Sequence, residues 1–142
     1  MGLFTAFQIG REGLAVHSKR VEIAAKNIAN VDTPNYTRKI PIISSNENQS
    51  FASVLSSMGQ GAIATNLGGV NFDGIIEDPT PGEKIYKPGH PDADEYGYIR
   101  SSNTNVMVDY ADATLAQRAY EASLGVVSIS KSMAASALEI GT

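Results

Sequence analysis

All six prolines of this 142-residue chain lie between positions 34 and 91. Both ends therefore lack the residue that most strongly interrupts a helix, and both carry helical periodicity. In the first segment Phe7, Leu14, Val21 and Ile28 recur every seven residues. That spacing predicts one long helix over roughly residues 3–30, with these four on a single row. A second row, Ile9, Val16 and Ile23, runs two positions behind the first. At about 100° per residue the two rows stand about 160° apart, nearly on opposite sides of the helix. Glu12, Lys19 and Lys26 collect mostly between them, while Gly10 and Ala24 lie small on the other side. A helix on the surface of an ordinary domain needs one apolar row. Two rows need neighbours on two sides, and a chain with only one other long helix cannot easily provide both. Partner subunits resolve the mismatch.

The last segment predicts the second helix, over roughly residues 106–140, ended by Gly141. Its apolar arc is broad: Leu115, Tyr120, Leu124, Val127, Met133 and Leu138 are its larger members, set among many Ala and Ser. Small residues permit close helix approach, although Gly125 costs about 1 kcal/mol against Ala inside a helix. Between the ends the pattern changes. Asp32-Thr33-Pro34-Asn35 is a turn signal, in which Asn tolerates a left-handed backbone. Residues 38–43 read as extended, and 51–58 as a short amphipathic helix through Phe51, Val54, Leu55 and Met58. Residues 59–74 read as Gly- and Asn-rich loop. Residues 84–87 and 96–100 read as short strands joined by a Pro-Gly turn. The expected class is mainly α with a small β-rich centre.

Charge follows the same division. Residues 1–39 balance to +3 and residues 73–112 to −6, within a net charge of −4. That acidic balance argues against a nucleic-acid partner, which would be bound by neutralising phosphates. The basic residues of the first helix share no face, and Glu12 and Glu22 interleave with them. The chain has no cysteine, so disulfides, thiolate metal sites and cysteine nucleophiles are out. No apolar run approaches a membrane span, so no direct membrane insertion is expected. Met1-Gly2-Leu3-Phe4-Thr5 lacks the basic start and continuous apolar stretch of a cleaved signal peptide. Nor is there a Gly-x-Ser-x-Gly elbow or a Gly-Lys-Ser/Thr phosphate loop.

One cluster has the residue types of a reactive centre. His90, Asp92 and Asp94 are a possible divalent-metal or acid–base set, as in a secreted metal-dependent hydrolase. Pro88 and Pro91 bracket them, and no further ligands are evident. The competing structural reading is a turn held by Asp side chains accepting backbone N–H groups. No catalytic, cofactor or metal residue is assigned, and no cofactor is expected.

The residues Ala24 to Arg38 carry a family signature. Asn27-Ile28-Ala29-Asn30, then Val31-Asp32, then Thr33-Pro34-Asn35-Tyr36, resembles the N-terminal motif of bacterial flagellar rod and hook proteins. The family usually has Gly where this chain has Asn35. The middle and C-terminus resemble the proximal-rod members of that family. The matching residues are Tyr86-Lys87-Pro88-Gly89-His90-Pro91-Asp92-Ala93-Asp94, Gly97-Tyr98-Ile99, Asn103 and Asn105-Val106. Ala116 to Ala122 and Lys131-Ser132-Met133 continue the match. The departures are Ser123, where the family usually has Asn, and Asp109-Tyr110, where it tends to have Glu-Met.

The resemblance implies a non-enzymatic subunit of the proximal rod, the driveshaft that crosses the periplasm and carries torque from motor to hook. It implies export by the flagellar type III apparatus without a cleaved signal. Its partners would be further copies of the chain and other flagellar rod proteins. The terminal helices would pack as a coiled-coil-like pair lining a hollow helical tube. The organisation expected is an axial helix over 1–33, a β and loop centre over 34–105 and a second axial helix over 106–142, the two helices forming one helical domain. Assembly is expected to rest on Phe7, Ile9, Leu14, Val16, Val21, Ile23 and Ile28 of the first helix. Tyr120, Leu124, Val127, Met133 and Leu138 would serve from the second. Asn27, Asn30, Thr33, Pro34 and Tyr36 would shape the exit from the first helix; His90, Pro91, Asp92, Asp94, Gly97 and Tyr98 form the second motif. A charge on the second row, such as Val16→Glu, is expected to stop assembly while the centre stays folded. The alternatives are another rod or hook-junction subunit and the hydrolase noted above.

Overall fold

The computed structural model describes residues 2–45 and 68–140. Helix α1 spans Gly2–Ala29 and helix α2 spans Val106–Ile140. Between them lie β1 (Lys39–Ser45), β2 (Val70–Glu77), β3 (Lys84–Tyr86) and β4 (Tyr98–Arg100). The chain is mainly helical with a small β centre, as its periodicity predicts. The short helix expected at 51–58, the loop residues 59–67 and the Gly141 stop lie outside the described residues. Among the described residues no helix is long and apolar enough to cross a membrane.

Both helices are bounded by asparagine chemistry. Asn105 is the N-cap of α2: its Oδ1 accepts the N–H groups of Met107 and Val108 at 3.1 and 3.3 Å, which the first turn of a helix leaves without internal partners. At the same end of the helix pair, where Asn27 reaches Asp109, Asn30 stops α1. Its Nδ2 donates to the Lys26 carbonyl at 2.8 Å and its Oδ1 accepts the Thr33 hydroxyl at 3.2 Å. Asn35 then takes a left-handed φ of 59°, the conformation Asn tolerates better than most residues.

The strands form two two-stranded sheets, β1 with β2 and β3 with β4. The expected loop over 59–74 is corrected at its end, because β2 begins at Val70. Its glycine and asparagine mask a period of two: Val70, Phe72 and Gly74 are half-buried while Asn71, Asp73 and Ile75 are exposed. The β3–β4 hairpin is antiparallel with Lys84 opposite Arg100, Ile85 opposite Ile99 and Tyr86 opposite Tyr98. The Tyr86 and Tyr98 rings meet edge to face at 5.2 Å.

The chain divides into two compact units. The first holds residues 1–17, 43–73 and 118–142, and the second holds 18–42 and 74–117. In the first unit α1 and α2 run antiparallel and close: a Cβ placed on Gly10 would stand 2.8 Å from Val127 Cγ2, and one on Gly13 2.8 Å from Ser123 Oγ. In the second unit Ile23, Ala24, Ile99 and Ala116 are buried together with Asn27 and Asp109. A core holding an asparagine and an aspartate among its deepest side chains is not held by apolar burial alone.

Candidate assembly interface

Asn27 sits two residues before the end of α1, is 1% exposed, and uses its whole hydrogen-bonding capacity. Its Nδ2 donates to the Lys39 carbonyl at 2.8 Å and to Asp109 Oδ1 at 3.0 Å. Its Oδ1 accepts the Lys39 N–H at 2.9 Å and the Tyr36 hydroxyl at 3.1 Å. Two donors and two lone pairs are all matched. Toward Lys39 the side-chain amide behaves as a neighbouring strand would, and it thereby docks the start of β1 on α1.

Asp109, also buried, is gripped by Arg38. Arg38 Nε lies 3.1 Å from Oδ2 and Nη2 3.1 Å from Oδ1, a two-pronged pair, with Asp112 Oδ2 at 3.4 Å from Nη2. The hydrogen bond to Asp109 raises the Arg38 pKa further above its usual value. Burial, then the negative charge of Asp109, raises that of Tyr36. The Arg38 main chain is fixed as well: its N–H donates to Asn103 Oδ1 at 2.6 Å and its carbonyl accepts the Asp78 N–H at 2.9 Å. The motif residues Asn27, Asn30, Thr33 and Tyr36 thus work within the chain, tying α1, β1 and α2 together, with Pro34 half-buried in the turn between them. Arg38 and Asp109 escaped the sequence reading as a pair. The available signal was a carboxylate directly after the apolar run Val106-Met107-Val108, at the start of an apolar helix.

The second motif is a turn scaffold. Asp94 Oδ1 accepts the N–H groups of Tyr96 and Tyr98 at 2.9 and 2.8 Å. His90 Nδ1 accepts the Asp92 N–H at 3.1 Å and lies 3.8 Å from Asp92 Oδ2. Gly97 has φ 78°, with Pro88 and Tyr86 atoms 3.0 and 3.1 Å from where a Cβ would stand. Positive φ and close packing together reserve the position for glycine. Pro91 is exposed beside them. The Asp94 bonds are those of the turn reading, and among the described residues no three His, Asp or Glu side chains gather as a metal site.

The helices distribute their side chains against the habit of a self-sufficient domain. On α1 the second row turns inward: Val16 and Ile23 are each 3% exposed, with Ile9 at its exposed edge. In the first row Leu14, Val21 and Ile28 are half-buried and Phe7 is exposed. Val16→Glu therefore strikes the chain's own core as well as any partner contact. On α2 the inward positions are Asp109, Ala116 and Ser130, with Ser123 and Val127 half-buried beside them. The larger side chains lie outside: Tyr120, Leu124, Met133 and Leu138 are exposed, and so are Leu115, Val126 and Ile129, which the sequence reading did not single out as assembly residues. Large aliphatic side chains are worth roughly 1.5–3 kcal/mol each when buried. Leaving them outside while Ala and Ser occupy the seam is a loss unless another surface covers them.

Two families match the chain. Residues 7–37 match the family described as flagella basal body rod protein. Residues 96–140 match the flagellar basal body rod FlgEFG protein C-terminal family. Among curated proteins, the flagellar basal-body rod protein FlgC of Salmonella typhimurium is 33% identical over 141 residues, 99% of each chain. That of Bacillus subtilis is 30% identical over 152 aligned positions, again 99% of each. The FlgC of Borreliella burgdorferi is 32% identical over 157, covering 99% of this chain and 98% of its own.

Proposed function

This chain belongs to the FlgC family of flagellar basal-body rod proteins, and from that membership we propose that it is a structural subunit of the proximal rod, polymerising through its terminal helices. The product is a hollow driveshaft that carries torque from motor to hook. Its partners are further copies of itself and other rod proteins, and it reaches the periplasm through the flagellar type III apparatus without a cleaved signal. The chain acts mechanically, through packed helices, and needs no cofactor.

The inverted side-chain distribution carries this reading. The small-residue seam lets α1 and α2 approach closely, and the large apolar residues outside it are left for neighbours. A subunit that contacts neighbours through unlike surfaces builds an open helical array when the rotation between copies does not close into a ring. The Asn27–Arg38–Asp109 clamp suits the same task. Torque loads the junction between a helix and the strand after it, and polar bonds of fixed direction hold that junction where apolar packing would slide. The three-part organisation proposed for assembly follows: axial helices over 1–33 and 106–142 and a centre over 34–105.

The test is purification of basal bodies from flagellated cells carrying this chain. Copurification with the rod, and loss of swimming on deletion with recovery on complementation, are expected. A deletion strain that swims normally refutes the proposal.

A further inference from the structure

The proposal above leaves open what the β centre contacts, and the β3–β4 hairpin of the second unit supplies an answer that rests on it. The hairpin breaks a rule of sheet pairing. Lys84 stands directly opposite Arg100, and like charges so placed destabilise an antiparallel pair. The class of pair sharpens the conflict. Ser101 N–H donates to the Glu83 carbonyl and Lys87 N–H to the Gly97 carbonyl, so the hydrogen-bonded positions of β3 alternate through 83, 85 and 87. Lys84–Arg100 and Tyr86–Tyr98 are therefore the closely spaced pairs, with Cα atoms about 4.5 Å apart. Their side chains share one face of the hairpin.

Neither cation is neutralised within the chain. Among the described residues no carboxylate lies within ion-pair distance of Lys84 or Arg100. Both line a cleft of about 210 Å³ that Asp92 and Asp94 also reach, but those carboxylates are engaged in the connection between the strands. Asp94 Oδ1 accepts the Tyr96 and Tyr98 N–H groups, and Asp92 Oδ2 lies beside His90. Next to the cations on the same face, Tyr86 is 62% and Tyr98 41% exposed, while Ile99 turns inward. Arginine and tyrosine are the residues in which interfaces concentrate binding energy. A local rule broken with no compensation inside the chain marks a functional site.

We propose that the Lys84–Arg100 pair, with the Tyr86 and Tyr98 rings beside it, docks an acidic segment of a neighbouring subunit, one carboxylate seating between the ammonium and the guanidinium. The carboxylate turns the repulsion between the two cations into two charge-assisted contacts, and the planar guanidinium matches its geometry. The tyrosines supply apolar area for the rest of the segment. A polyanion such as nucleic acid fits less well, because its further charges meet a chain of net charge −4. A single carboxylate on a polypeptide meets the two cations alone.

Lys84→Glu separates docking from folding, because it places opposite charges across the ladder while removing the site. The full-length variant is expected to keep or raise the urea midpoint, and cells carrying it in place of the native chain are expected to lose swimming. Lys84→Arg is expected to keep both. Basal bodies from wild-type cells are then treated with a water-soluble carbodiimide, which joins a lysine amine to a carboxylate touching it. The amide C–N bond forms, and the oxygen lost from the carboxyl leaves in the urea made from the carbodiimide. Mass spectrometry of bands above the 15.0 kDa monomer is expected to find Lys84 joined to an Asp or Glu of another subunit. Lys84→Arg basal bodies should lack that link. Normal swimming by Lys84→Glu, a lowered urea midpoint, or no Lys84 link beyond its own chain overturns the docking site and leaves the rod assignment intact. Lys84 and Arg100 NMR signals that shift and saturate with inorganic phosphate, with no cross-link, assign the pair to a free anion and overturn the protein partner. Basal bodies that lack the native chain overturn both proposals.

Discussion

Replacing Asn27 tests the clamp most sharply. Asn27→Ala removes four hydrogen bonds at a position 1% exposed. Arg38 still serves Asp109, and water reaches the half-exposed Tyr36 hydroxyl. The loss therefore falls on the Lys39 N–H and carbonyl, which were bonded to the lost amide. At about 1–1.5 kcal/mol for each stranded group, the expected cost is about 3 kcal/mol with the lost packing. With a urea m-value of about 1.5 kcal/mol/M, the unfolding midpoint of the full chain falls by about 2 M. Asn27→Asp keeps the shape and is expected to be worse. It sets a carboxylate 2.8 Å from the Lys39 carbonyl and 3.0 Å from Asp109 Oδ1, where Nδ2 now donates. Two like charges about 4 Å apart repel by about 4 kcal/mol at an effective dielectric of 20.

The sign with pH follows. The new carboxyl has its folded pKa raised by its neighbour, so stability is fully present below the unfolded value near 4 and falls as pH rises through the folded value. The order at pH 7 is wild type, then Ala, then Asp, and the gap between the two variants narrows toward pH 4. Urea titrations followed by circular dichroism measure it. Asn27→Asp as stable as wild type at pH 7, or Asn27→Ala within about 0.5 kcal/mol of it, would refute the bonding argument.

Gly10→Ala trades about 1 kcal/mol of better helix propensity against a Cβ 2.8 Å from Val127 Cγ2. Amide exchange in residues 2–17 should speed up if Val127 cannot yield, and Gly10→Ala with Val127→Ala should restore protection. Hydrogen bonds from Lys19 and Lys26 lower the Glu22 pKa to about 2. Its contribution is present above the unfolded value near 4.5 and is lost as pH falls toward 2, so an NMR titration should place Glu22 below the other glutamates, and Lys19→Ala with Lys26→Ala should move it back up. Val16→Glu should destabilise the isolated chain by at least about 3 kcal/mol, since it buries a charge. Met133→Glu should leave the chain's urea midpoint unchanged and abolish swimming; a swimming Met133→Glu strain would count against assembly through α2.

The two helices were legible because proline placement and a seven-residue period are local properties, and the helix bounds followed them within a residue or two. The turn at Thr33–Tyr36 and the β3–β4 hairpin were legible for the same reason, since their Asn, Pro and Gly act on the neighbouring backbone. Strand β2 was not. Val70 to Glu77 has a weak alternation broken by Gly74, and what makes it a strand is β1, distant in the chain. The same holds for Arg38 and Asp109, seventy-one residues apart: each alone reads as an ordinary surface charge.

By itself, then, the sequence determined that two proline-free helices flank a small β centre, and that their apolar residues exceed what two helices can bury in each other. Periodicity records how many faces a helix has, and nothing about which face meets what. Only the tertiary structure decided that Val16 and Ile23 turn inward, that glycine, alanine and serine form the seam, and that Ile129 and Met133 remain outside. The physical reason is close approach: where backbones meet across Gly10 and Gly13, small side chains win the interior and the large ones are left for a neighbour.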